Sequence, residues 1–158
     1  MEAGRPKRDQ QGFTYVMVMA ALVLLGIALA AMGPRWADQA QREREAELLH
    51  VGRLYAQAIK SYRDATPGSL RRYPPDLDSL TLDTRFVGTR RHMRRLYADP
   101  LDPLRPWGLV RDKDGGVVGV YSLDERTPFM QQRVRDDLLE LAPATRYLEW
   151  IFSPRNTP

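Results

Sequence analysis

The sequence predicts an α+β protein: a long N-terminal helix, apolar in its first half and amphipathic in its second, packed on a small antiparallel β-sheet. Three observations predict it. Phe13 to Met32 is a run of 20 residues without a charge. From Leu48 to Tyr62 apolar residues recur at spacings of three and four, the stripe of a helix with one buried face. Beyond Tyr97 the pattern shortens to β-type runs around a Gly-Gly turn, as in a hairpin. A chain of 158 residues suits one modest core plus an appendage.

The uncharged run is the first element. As a helix it is about 30 Å long, the thickness of a bilayer core. Before it stand the polar residues MEAGRPKRDQQG, with Arg5, Lys7 and Arg8. Basic residues on that side keep the N-terminus in the cytoplasm and place the rest of the chain outside. Ala28-Leu29-Ala30 offers a signal-peptidase pattern, but the run is longer than the ~7–15 apolar residues of a cleaved secretory signal. A plain signal anchor carrying a periplasmic domain is a second reading. A leader ending at Gly12 is the third.

Gly33-Pro34 follows. Proline removes a backbone donor and crowds the carbonyl four residues back, at Ala30, so Pro34 predicts a helix kink. The helical pattern resumes beyond it. Leu48, Val51, Tyr55, Ala58, Ile59 and Tyr62 form its apolar face. Asp38 and Arg42 are spaced to pair on its surface. The mixed run Arg42-Glu43-Arg44-Glu45-Ala46-Glu47 reads as a solvated face, and the helix is expected to end near Thr66-Pro67-Gly68, where two breakers meet.

The remainder reads as short elements. Tyr73-Pro74-Pro75-Asp76 is a loop into a short helix or turn over Leu77 to Leu82, with Asp76 as its cap. Arg90 to Tyr97 reads as a second short helix with Met93, Leu96 and Tyr97 inward. Trp107 to Arg111 and Val117 to Ser122 are strands joined by the turn Asp112-Lys113-Asp114-Gly115-Gly116. Phe129 to Leu141 reads as a helix with Val134, Leu138 and Leu141 on one face. Tyr147 to Phe152 reads as a last strand that joins the hairpin.

Composition narrows the chemistry. There is no cysteine, so there is no disulfide framework and no thiolate metal site. The net charge is +4, and 21 of the 24 basic residues are arginine. The signs are mixed along the chain, so the total carries no nucleic-acid footprint. The most basic stretch holds Arg71, Arg72, Arg85, Arg90, Arg91, Arg94 and Arg95, partly offset by Asp76, Asp78 and Asp83. It reads as a solvated surface with local ion pairs; an acidic neighbour, lipid headgroups or DNA are the alternatives. His50 and His92 have no metal-ligand spacing, and His92, set among arginines, is expected to be exposed. No Ser/His/Asp set has a recognisable spacing and no glycine loop cradles phosphate, so no catalytic residue is assigned and no enzyme is expected.

The residues around the first junction carry a resemblance. A short basic leader ends in Gly12; Phe13 and Thr14 follow, then the unbroken apolar helix, with Pro34 and a helical continuation beyond. This resembles the N-terminus of type IV pilins and of the pseudopilins of type II secretion. The resemblance implies that prepilin peptidase cuts between Gly12 and Phe13 and methylates the new N-terminal phenylalanine. It also implies a pilin-like organisation: leader 1–12, transmembrane and filament-core helix 13–33, amphipathic continuation 34–66, and periplasmic α+β domain 67–158. Met17 stands where the family usually has a glutamate, whose carboxylate is thought to pair with a neighbour's terminal amine. Some tip-located minor pseudopilins lack it too. Some charges of the 42–47 run would then meet neighbouring subunits.

Tyr73-Pro74, Asp99-Pro100, Trp107-Gly108 and Tyr121-Ser122-Leu123 occur in that order. They resemble markers of the G-type pseudopilins, a likeness that spans about residues 5 to 125 of this sequence. That group binds calcium in a C-terminal loop. Here Leu123-Asp124-Glu125-Arg126-Thr127-Pro128 replaces the Gly/Asp-rich loop, and calcium requires six to eight oxygens. Asp112, Asp114 and Asp124 remain the weak calcium candidates, and no cofactor is expected. The implied function is a structural subunit of a type II secretion pseudopilus in the bacterial inner membrane and periplasm. Its implied partners are prepilin peptidase, other pseudopilins or pilins, and the inner-membrane assembly platform. A minor pilin of a type IV pilus, or a membrane-anchored adaptor that never polymerises, are the alternatives.

Overall fold

The computed structural model describes residues 11–68 and 71–155. The chain divides into two compact units, Met1–Gln41 and Arg42–Pro158. Helix α1 (Gln11–Asp64) contributes to both.

In the first unit, Phe13–Ala30 of α1 is long and apolar enough to cross a membrane, and none of it is buried. The helical assignment runs through Pro34. The basic residues Arg5, Lys7 and Arg8 of the leader lie outside the described residues.

The second unit is built on the apolar stripe of α1. Leu48, Val51, Tyr55, Ala58, Ile59 and Tyr62 are all buried, as their spacing predicts. Strands β1 (Gly108–Arg111) and β2 (Val117–Tyr121) form the expected antiparallel hairpin. Its turn needs Gly115, whose φ of 83° lies in the left-handed region. Asp112 Oδ1 accepts the amides of Asp114 at 3.0 Å and Gly116 at 2.7 Å, closing that turn. Val117, Val120, Trp107 and Phe152 carry the sheet side of the core. Phe152 stacks edge-on to Trp107, which stacks edge-on to Tyr55 on the helix. Gly52 lets this layer close, because a Cβ there would overlap the Phe152 ring.

Three expected elements differ. Residues 129 to 141 hold no helix. They form a two-stranded ladder, β3 (Val134–Arg135) with β4 (Glu140–Leu141). Asp136 is the cause: its Oδ1 accepts the amides of Leu138 at 2.9 Å and Leu139 at 2.7 Å. This local side-chain turn competes with helical pairing. Residues 90 to 97 are not helical either. Asp83 N donates to Arg90 O at 2.9 Å, and the amides of His92 and Met93 donate to Leu80 O. A helix there would stack Arg90 on Arg94 and Arg91 on Arg95, like charges four apart. The last segment is a 3₁₀ turn at Tyr147–Glu149 followed by a single bridge, Phe152 to Val120. It joins the hairpin as expected, but through one residue rather than a full strand. Around Leu77–Leu82 only Asp78–Leu80 is helical, as a 3₁₀ turn. Asp76 Oδ1 does accept the Ser79 amide, at 2.9 Å.

Candidate functional site

Gly12 and Phe13 lie in the first turn of α1. Phe13 is 75% exposed, and Tyr15, Val16 and Met17 are 64–65% exposed. Leu22, Val23, Leu24, Leu25, Ile27 and Leu29 are each more than half exposed. A helix apolar on all sides cannot be satisfied by water. Its surface is exposed and apolar, and by length and composition it can cross a membrane.

In the second unit, the charge run of α1 is not uniformly solvated. Glu43 and Glu47 are exposed, but Glu45 is 5% exposed. Its Oε2 accepts the Phe129 amide at 2.8 Å and the Tyr147 hydroxyl at 2.6 Å, and its Oε1 accepts the Met130 amide at 2.9 Å. Three donors on one buried carboxylate replace its hydration. Arg42 sits over the Phe129 ring, 4.6 Å from its centroid. The signal for Glu45 was present: it lies three residues before Leu48, in phase with the buried stripe.

Residues of the four short segments Tyr73-Pro74, Asp99-Pro100, Trp107-Gly108 and Tyr121-Ser122-Leu123 are tied into one core. Pro74 O accepts the Val117 amide at 2.7 Å. Asp99 is buried, and its carboxylate accepts the Ser122 hydroxyl at 2.5 Å and the Leu101 amide at 2.9 Å. Trp107 Nε1 donates to Tyr97 O at 2.8 Å, the carbonyl that also accepts the Tyr55 hydroxyl.

The three calcium candidates are not brought together. Asp112 and Asp114 line a cavity shared with Arg71, Arg72 and Arg85. Asp124 lines another, with Asp102, Arg105, Glu125 and Arg126. The Arg126 guanidinium donates to both Asp124 oxygens. Among the described residues, no group of three His, Cys, Asp or Glu side chains is placed to hold a metal.

The His92 side chain, expected at the surface, is instead buried, at 1% exposed. Nε2 lies 3.1 Å from Asp83 Oδ2, and Nδ1 lies 2.8 Å from the hydroxyl of Ser61. Asp83 is itself buried and is gripped by Arg85, whose Nε and Nη2 donate to its two oxygens at 2.9 and 2.6 Å. These Arg85 hydrogen bonds, against the opposing effect of burial, hold the Asp83 carboxyl well below the usual carboxylate range. Arg85 also lies over the Tyr62 ring, 3.5 Å from its centroid. Ser61, Asp83 and His92 thus form a Ser–His–Asp chain from residues 22 and 9 positions apart in sequence. No spacing rule could have found it. No family model, curated protein or solved structure matches this chain.

Proposed function

We propose that the protein is a pseudopilin-like subunit of a type II secretion system. It enters the inner membrane through Phe13–Ala30, is cut by prepilin peptidase between Gly12 and Phe13, and passes into a periplasmic filament. One observation carries this reading: the apolar half of α1 is exposed on every side, while the amphipathic half is built into a folded domain. Such a helix exchanges lipid contacts for contacts with like helices without a large hydrophobic penalty. The Gly12-Phe13 junction and basic leader support processing at that point. The four short segments support the G-type group, and their residues are tied into the core by Asp99, Ser122, Trp107 and Pro74. Met17 favours a minor position, because the carboxylate that would pair with a neighbour's terminal amine is missing.

Mass spectrometry of the protein purified from membranes tests the reading. The expected N-terminus is N-methylated Phe13. An intact Met1, or a start at Ala31, overturns it. Cysteine crosslinking from position 17 to secretion-platform or to pilus subunits separates a secretion role from a pilus role.

A further inference from the structure

The Ser61–His92–Asp83 chain lies outside the residues on which the filament reading rests, and its geometry has a chemical meaning of its own. Asp83 has only acceptors to offer, so His92 Nε2 carries the proton that faces it. Nδ1, on the other side of the ring, lies 2.8 Å from the Ser61 hydroxyl, which donates to it when the ring is neutral. In that neutral form the pair has the arrangement that a nucleophile and its general base require. The ring is turned end for end relative to the usual Ser-His-Asp arrangement, with Nδ1 toward the serine. His92 is locked: its ring packs edge-on against Tyr62, centroids 5.4 Å apart, and its side chain is 1% exposed. Asp83 is locked in turn by Arg85.

Ser61 lies in the final turns of α1. Ser61 is itself exposed, so the relay runs from a buried carboxylate to an accessible hydroxyl. That hydroxyl opens on a cavity of about 460 Å³ lined by Leu54, Gln57, His92, Met93, Arg94 and Tyr97. Leu54, Met93 and Tyr97 supply an apolar wall for an acyl group. Gln57 and Arg94 line the same cavity and carry N–H groups.

We propose that Ser61 is an activated nucleophile that takes the acyl group of small carboxylic esters. Ser61 Oγ bonds to the ester carbonyl carbon as its proton passes to His92 Nδ1. The ester C–O bond then breaks, and the departing alkoxide takes that proton and leaves as the alcohol. Water enters, gives its proton to Nδ1 and its oxygen to the acyl carbon. The carboxylic acid leaves as Oγ recovers its proton.

The full-length protein in detergent is treated with a fluorophosphonate probe, and the labelled peptide is identified by mass spectrometry. In parallel, hydrolysis of p-nitrophenyl acetate is followed. Label is expected on Ser61 and not on Ser79 or Ser153. Ser61→Ala is expected to abolish both label and turnover. His92→Gln is expected to slow both by about 100-fold, the usual contribution of a general base. Ser61→Ala alters an exposed side chain, so it decides the matter even if His92→Gln fails to fold. Absence of label at Ser61, equal labelling of the other serines, or ester turnover unchanged in Ser61→Ala overturns the proposal.

Discussion

The two halves of α1 solve the same problem in opposite ways. From Phe13 to Ala30 the helix is apolar all round and exposed all round. From Leu48 to Tyr62 it is apolar on one stripe, and that stripe is buried against Trp107, Val120, Phe152 and their neighbours. Periodicity makes the difference. A stripe of about 100° is covered by one folded domain, whereas apolarity without a period has to be covered from several directions at once. The second half therefore finds its partner within the chain, and the first half requires a medium or a set of copies outside it. The paired glycines show the same contrast: nothing lies within 4 Å of a Cβ built at Gly26, whereas one built at Gly52 runs into Phe152.

Removing residues 1–35 breaks the comparison most strongly. The rest of the chain keeps its core and is expected to move almost entirely from the membrane pellet to the supernatant on ultracentrifugation. A single Val23→Asp in the intact chain is expected to oppose insertion by about 3 kcal/mol, read as a lowered membrane fraction. A truncated chain that stays in the pellet shows that the second half also has an unmet surface.

Glu45 tests the other half. Glu45→Ala leaves the amides of Phe129 and Met130 and the Tyr147 hydroxyl without their acceptor. At about 1–3 kcal/mol for each unsatisfied buried group, partly relieved by water, the loss is expected to be about 3–4 kcal/mol in urea unfolding. Glu43→Ala, two residues away on the exposed side, is expected to change stability by less than about 0.5 kcal/mol.

Asp83 adds a pH dependence that the first half of α1 lacks. Its folded pKa is depressed, first through the Arg85 side-chain hydrogen bonds. Its contribution is therefore fully present above the unfolded aspartate value of about 4. It is lost as pH falls from there through the folded value. Asp83→Asn is expected to cost about 2 kcal/mol at pH 7. The gap from the unaltered protein should narrow as pH falls below about 4, as measured by urea midpoints. A gap that is constant across that range rules out the assignment.

The smallest effects come from the glycines. Ala is favoured over Gly in a helix by about 1 kcal/mol, so Gly26→Ala is expected to leave membrane insertion unchanged and to raise helicity slightly in micelles by circular dichroism. Gly52→Ala gains the same propensity but displaces the Phe152 ring. Overpacking of this kind costs about 1–3 kcal/mol, so a net loss of about 1 kcal/mol is expected in urea unfolding.

The elements with a clean period were legible in the sequence. The apolar run, the buried stripe and the Asp112–Gly116 hairpin turn each follow from local chemistry repeated over enough residues. The segments that depart from their pattern are short, and captured backbone amides divert them. Asp136 takes the Leu138 and Leu139 amides away from a helix whose apolar residues, Val134, Leu138 and Leu141, have helical spacing. Leu80 O takes the amides of His92 and Met93, and with them the turn that Met93, Leu96 and Tyr97 predict. Over so few residues, one captured amide outweighs propensity.

By itself the sequence determined where the chain is apolar without relief, where it is apolar on one side, and where it must turn, because these depend on residue type and order alone. Tertiary structure alone decided which polar groups are buried. Glu45 is distinguished from Glu43 and Glu47 by the arrival of Phe129, Met130 and Tyr147 from the far end of the chain. His92 is distinguished from its arginine neighbours by Ser61 and Asp83. A carboxylate or an imidazole can be buried only where such donors and acceptors converge, and convergence is a property of the folded chain.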